Sequence, residues 1–246
     1  MARLELRDVR KLRQGADRGF ELNVQDFTLQ SGERLAVVGP SGCGKTTLLG
    51  LCGLASAPTA SEVFVLQDEA SRWDIDLLWR EKAHETLAQL RAHRFGFVLQ
   101  TGGVLPFLTV RRNVELSQRL SRRPDPGRID LLLDRLGIRE LAAEWPVRLS
   151  VGQRQRVSIA RALAHRPAFV IADEPTAALD PANARSVVRL LLELAISDGA
   201  ALLLVTHDRQ LMEEAGLHVL EMAADNGGGR VWRSVVSQAH AAAGWS

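Results

Sequence analysis

The sequence predicts an α/β fold: a mainly parallel sheet core with an inserted α-helical subdomain. Three observations carry this. Short apolar runs alternate with segments of helical spacing, the pattern of a sheet covered on both faces. The run RLAVVG at 34–39 ends in glycine and leads into the glycine-rich loop GPSGCGKTT. The stretch from 101 to 160 is rich in helical spacing and carries the breaker RRPDPG.

In chain order, LELRDV, FELNVQDFTL and RLAVVG read as strands, the second with only partial alternation. LLGLCGLA continues the glycine-rich loop as a helix. Residues 68–93 include DLLWREKAHETLAQLRAH, which reads as a mixed-charge helix with a solvated face. RFGFVLQ is a short strand before the uncharged loop TGGVLPFLT, and residues 110–143 read as two or three helices. AFVIAD and ALLLVTH are strands flanking a helix over 182–195. The tail reads as a hairpin, HVLEM turning at DNGGG into RVWRS. The expected organisation is one domain over 1–246, with 1–100 and 161–246 as core and 101–160 as the helical subdomain.

Composition narrows the function. The chain has 246 residues, 46% hydrophobic and 24% charged, with a net charge of +2. That balance gives no reason to expect a nucleic-acid partner or a polybasic membrane anchor. No run approaches the roughly 18 apolar residues of a membrane span, so direct membrane insertion is not expected. Cys43 and Cys52 form neither a disulfide framework nor a zinc spacing, which fits a reducing compartment. Lysine occurs only at 11, 45 and 82, against 28 arginines. Lys45 inside a glycine-rich loop therefore invites a lysine-specific reason.

That reason is phosphate. Gly39, Pro40, Ser41, Gly42, Cys43, Gly44, Lys45 and Thr46 match G-x-x-x-x-G-K-[ST], between an expected strand and the expected helix LLGLCGLA, and Thr47, which follows directly, joins them as a candidate nucleotide-binding residue. Glycines let backbone amides curl around a β-phosphate, and the helix N-terminus adds a favourable dipole. Lys45 reaches the β- and γ-phosphates, and the Thr46 hydroxyl is a ligand for Mg²⁺. FVIADEP is an apolar strand ending in two acids. Asp173 suits the Mg²⁺ shell, and Glu174 suits a base that takes a proton from attacking water. LSVGQRQR at 149–156 reads as a capping box between Ser150 and Gln153, or as an anion site at a helix start.

With the phosphate loop, LSVGQRQR, ADEPTAALD and LLLVTHD in this order, the chain resembles the ATP-binding subunits of ABC transporters. The branch serving lipoprotein release, macrolide export and cell division is the most similar, through GFVLQTGGVLPFLTVRRNVEL. The resemblance implies a phosphate-loop NTPase fold of ABC type, with a small antiparallel β subdomain beside the mainly parallel core, and ATP and Mg²⁺ as cofactors. It implies a Gln-loop role for Gln100, at the metal or its water and toward a partner. It implies a cross-dimer role for Asp180 and γ-phosphate contact for His207. It also implies that Ser150, Gly152 and Gln153 cap the γ-phosphate held by a second copy, giving a head-to-tail homodimer on ATP. A separate transmembrane permease would be the partner, and Thr109 to Leu116 with the loop before it would help form the surface that meets it. The subunit would be cytoplasmic and peripheral on the inner membrane. Two rivals stay open: a regulator of a membrane partner without transport, and a soluble ATPase serving an assembly or lyase complex. A third is an ATP-dependent clamp without appreciable hydrolysis.

The chain also departs from that family. Val151 stands where the signature has its first glycine, and Ala177 where the D-loop has serine. Arg13 occupies the place of a base-stacking aromatic, and Ala60-Ser61 replaces the usual Ser-Gly turn. Residues 68–93 are longer than that branch carries.

Overall fold

The computed structural model describes residues 1–14, 19–225 and 231–237. Its strands form two sheets, and the chain divides into two compact units. One comprises Met1–Gln30, Val37–Leu87 and Leu220–Ser246; the other comprises Ser31–Ala36 and Ala88–Val219.

In the first unit, β1 (Arg3–Gln14) pairs antiparallel with β2 (Gly19–Gln30) and with β4 (Val63–Gln67). Its core is a pair of rows across the sheet, Leu29–Leu4–Leu66 and Phe27–Leu6–Phe64, all nearly inaccessible to solvent. The partial alternation of β2 has a structural cause. Asp8 adopts a left-handed backbone (φ 46°), and the ladder passes from Arg7↔Asp26 to Val9↔Val24 without pairing the residues between. Both strands change inward parity there, so Leu6 and Val9, and Val24 and Phe27, face the same core.

The rest of this sheet differs from the sequence reading. A short edge strand, β5 (Arg72–Asp74), pairs with β4. The single helix expected over the insert is two: α2 (Ile75–Arg80) and α3 (His84–Arg94). Lys82 is left-handed (φ 55°). Its amide donates to the Trp79 carbonyl at 3.1 Å and that of Ala83 to Leu78 at 2.9 Å, a Schellman closure of α2. The tail hairpin is also displaced. Its first arm is β10 (Ala223–Asp225), paired with β11 (Val231–Ser237); the expected turn DNGGG at 225–229 lies, beyond Asp225, outside the described residues. The expected arm HVLEM instead forms β9 (His218–Glu221) in the other sheet. Met222 follows it, fully buried, with its amide donating to the Val38 carbonyl at 2.8 Å.

The second sheet runs β6-β7-β8-β3-β9, with β6 (Phe95–Val98), β7 (Phe169–Asp173), β8 (Ala201–Thr206) and β3 (Arg34–Val38). β6, β7 and β8 are parallel neighbours, and every residue of β8 is buried, as for a strand covered on both faces. Phe95 and Phe169 stack with centroids 5.2 Å apart. Helix α7 (Pro181–Ser197) leads into β8, and the short α8 (Arg209–Glu214) follows it. Among the described residues no helix is long and apolar enough to cross a membrane.

The helix-rich middle holds α4 (Val110–Leu120), α5 (Pro126–Arg135) and α6 (Val151–Leu163). Asp125 caps α5, whose first residue is Pro126. The fully buried Asn113 of α4 receives the Leu105 amide at 2.8 Å and donates to the carbonyls of Leu105, Leu108 and Thr109. One amide side chain thus organises the uncharged loop. Arg128 of α5 forms a buried ion pair with Asp198 beyond α7.

Beneath α6, the buried His165 bonds through Nε2 to the Phe95 carbonyl at 3.1 Å, and its Nδ1 has no partner. Burial pushes its pKa down to about 4, partly offset by that bond. An unfolded histidine takes a proton near pH 6.5, so stability is complete above 6.5 and falls as pH drops from there toward 4. We expect the urea midpoint to decline over this window, and to decline less in His165→Gln. Equal pH slopes in the two proteins would show that His165 contributes nothing.

Candidate nucleotide site

The loop Gly39–Gly44 joins β3 to α1 (Lys45–Cys52). Gly42 (φ 82°) and Gly44 (φ 101°) are left-handed, and Gly44 is the N-cap of α1 with no side-chain cap. By contrast α2, α4, α5, α6, α7 and α8 each begin with an Asp, Ser or Thr accepting a backbone amide. The first amides of α1 have no intrahelical partner. A Cβ at Gly42 would meet nothing within 4 Å, so the loop is open on that side. Lys45 is 7% exposed, and its ammonium donates to the carbonyls of Gly39 and Pro40 at 2.7 and 2.9 Å. Thr46 is exposed, while Cys43 and Thr47 are buried. Uncapped amides, an ammonium and an exposed hydroxyl on one loop fit a polyphosphate with its cation.

Sequence reasoning missed a second reason for the glycines. A Cβ on Gly39 would stand 2.3 Å from the Met222 carbonyl oxygen, and one on Gly44 2.4 Å from the Phe20 ring. Met222 lies far along the chain, so no local pattern signals the contact.

In the other unit the C-terminal ends of three adjacent parallel strands carry the remaining polar residues, the usual ligand edge of such a sheet. Gln100 is exposed just beyond β6, Asp173 ends β7 half-buried, and His207 follows β8. Glu174 has a left-handed backbone (φ 42°), and its amide donates to Val205 at 2.9 Å. Its carboxylate lies 3.4 Å from Nδ1 of His207, with 22% of the glutamate and 66% of the histidine side chain exposed. The strain at 174 is not visible in the sequence. Left-handed geometry in a non-glycine residue marks a position held by its surroundings.

Ser150 caps α6 in a complete capping box. Its hydroxyl accepts the Gln153 amide at 3.2 Å, and its own amide donates to the Gln153 side chain at 2.8 Å. Val151 is the first helical residue and 44% exposed. Asp180 caps α7 and takes a second bond from the Asn183 side chain at 2.6 Å; these bonds hold its carboxyl below the usual range. Ser150, Val151, Gly152, Gln153 and Asp180 line one cavity of about 410 Å³. So the structure gathers Glu174 with His207, and Ser150 with Asp180.

A glycine-rich loop with uncapped amides at a helix start in one unit and, in the other, two acids at the end of one parallel strand are each features of a phosphate-loop nucleotide-binding cassette. The chain belongs to the ABC transporter family: the family model of that description matches residues 22–177. It is 40% identical over 203 residues to the lipoprotein-releasing system ATP-binding protein LolD of Idiomarina loihiensis, covering 81% of this chain and 85% of that one. It is 38% identical over 216 residues to the macrolide export ATP-binding/permease protein MacB of Shigella flexneri, covering 86% of this chain but only 32% of that longer protein. The fold matches the ATP-binding cassette MJ0796 in a dimeric post-hydrolysis state bound to ADP and Pi. The TM-score is 0.74 at 31% identity, covering 90% of this chain and 94% of that one.

Proposed function

We propose that this chain is an ATP-hydrolysing subunit, acting as one cassette over its whole length, that dimerises on ATP and drives a separate transmembrane permease. The observation that carries the reading is the Glu174–His207 pair on a strained strand end. A carboxylate there accepts a proton from water as it attacks a phosphoryl group, and the imidazole beside it contacts the γ-phosphate. Gly39–Thr47 hold the phosphates. Thr46, Asp173 and Gln100 are the set suited to Mg²⁺; a hard cation takes oxygen ligands, and each offers one. When bound, the ion neutralises charge on the β- and γ-oxygens. Ser150, Gly152 and Gln153 serve a second copy in a head-to-tail pair, with Asp180 at the contact between copies.

Support for the partners comes from the relatives. LolD is named as the ATP-binding protein of a releasing system, MacB as a joined ATP-binding and permease protein, and the MJ0796 cassette is dimeric. On this reading the chain works at the cytoplasmic face of the inner membrane through its permease. Co-purification of an integral membrane protein from solubilised membranes is the expected result; a chain recovered only in soluble assemblies would favour the soluble rival.

Val151 bears on how fast the cycle runs. As the first helical residue after Ser150 it needs no glycine backbone freedom. Its cost is steric, because a half-exposed β-branched side chain stands where the second copy must close. Overpacking of this kind costs about 1–3 kcal/mol. The isolated subunit is therefore expected to turn over slowly, and Val151→Gly to raise both ATPase rate and ATP-driven dimerisation. If neither rises, the steric account is wrong.

A further inference from the structure

One side chain fastens the turn that carries Gln100 to α6. Leu99 to Gly102 form a β-turn with Gln100 at its second position, closed by the Gly102 amide donating to the Leu99 carbonyl at 2.9 Å. Gly102 (φ 74°) and Gly103 (φ 54°), at the exit of the turn, are both left-handed. Arg161 donates to their carbonyls, through Nη2 to Gly102 at 3.2 Å and through Nη1 to Gly103 at 2.8 Å. It lies on α6 and reaches back toward the helix start, as helix side chains do. The backbone of the turn lies along the same helix, since a Cβ on Gly102 would stand 3.4 Å from the Arg154 carbonyl oxygen. Ser117 of α4 donates its hydroxyl to the Arg161 carbonyl at 2.7 Å, so the clamp is itself held from behind. Among the described residues no carboxylate pairs with the half-buried Arg161 guanidinium, and burial disfavours its charge. Desolvating a cation is costly, so its two bonds to the turn are what offset that burial.

We propose that Arg161 is a positioning residue for Gln100, clamping its turn onto the helix whose other end is capped by Ser150. This rests on the reading of Gln100 as a metal residue and of Ser150, Gly152 and Gln153 as serving a second copy. Ser150 and Arg161 lie about 16 Å apart along one helix, at 1.5 Å per residue. A rigid helix carries position over such a span, so the residue facing the metal and the residues facing the second copy hold one geometry. Without the clamp the turn keeps its own Gly102–Leu99 bond but loses its anchor, and Gln100 is no longer held where α6 puts it. Losing such an outer partner acts on the metal and the chemical step, and leaves the phosphate contacts of Gly39–Thr47 in place.

The test measures steady-state Mg-ATP hydrolysis and, separately, the Mn²⁺ affinity of protein loaded with a non-hydrolysable ATP analogue, by electron paramagnetic resonance. Arg161→Met keeps helix propensity and the apolar stem. In it we expect kcat and Mn²⁺ affinity each to fall about tenfold, with KM for ATP within about twofold of wild type. Arg161→Lys, able to reach one carbonyl, should recover part of both losses. If circular dichroism shows the methionine variant unfolded, the lysine variant carries the same comparison at smaller amplitude. Gln100→Ala should reproduce both losses, and adding Arg161→Met to it should change neither further. Wild-type Mn²⁺ affinity in a folded Arg161 variant, or losses that add to those of Gln100→Ala, would mean that the guanidinium only braces the fold, and would overturn the proposal. Wild-type Mn²⁺ affinity in Gln100→Ala would remove the reading of Gln100 beneath it, and the proposal with it.

Discussion

Replacing Lys45 by alanine is expected to weaken ATP binding severely and leave a folded protein. The ammonium is nearly buried against its own loop, bonded to the Gly39 and Pro40 carbonyls. It is therefore held at the loop rather than swinging freely from solvent. Hydrogen bonds to charged groups contribute about 1.5–3 kcal/mol each, so losing one phosphate contact costs on the order of 10- to 100-fold in affinity. The rest of α1 is anchored by Leu48, Leu49, Leu51 and Cys52, all buried. Far-UV circular dichroism should stay unchanged while calorimetry records the loss. Wild-type affinity in this variant would remove the phosphate loop from the mechanism.

Glu174→Gln is expected to lower turnover by about 10²- to 10⁴-fold, the usual contribution of a general base. Glutamine keeps the side chain's size and its place beside His207, so ATP should still bind. With hydrolysis stopped, ATP persists and the dimer should accumulate on size exclusion in Mg-ATP. A monomeric variant with normal turnover would place the base elsewhere. The two variants separate binding from chemistry, since Lys45→Ala should fail to load and Glu174→Gln should load and stall.

How much of this was legible in the sequence depends on the range of the interaction concerned. The phosphate loop, the S-x-x-Q capping box at Ser150 and the apolar runs of β3, β6, β7 and β8 are local patterns, and each appears where its spacing indicates. Periodicity gave way where long-range pairing decides. HVLEM has the alternation of a hairpin arm, yet it lies along β3, because strand propensity does not name a partner. The helix of the insert broke at Lys82, a residue with no glycine-like signal for a left-handed turn. Candidate site residues were legible as types and spacings. The 3.4 Å approach of Glu174 to His207, the bond from Asn183 to Asp180 and the Phe20 ring on Gly44 were not, since each joins side chains whose contact depends on the folded backbone.

The left-handed backbone at Glu174 has a consequence for how such a chain drifts over generations. A glutamate there costs of order 1–3 kcal/mol in local strain that glycine would relieve. Most natural proteins stand only slightly above the stability they need, and mutations that relieve strain are readily available. On the proposed function, a lineage released from the need to hydrolyse nucleotide would gain stability by exchanging Glu174 for glycine. By the same reading, turnover is what keeps a glutamate on that backbone, whereas the left-handed Asp8 and Lys82 sit at a ladder irregularity and a helix end.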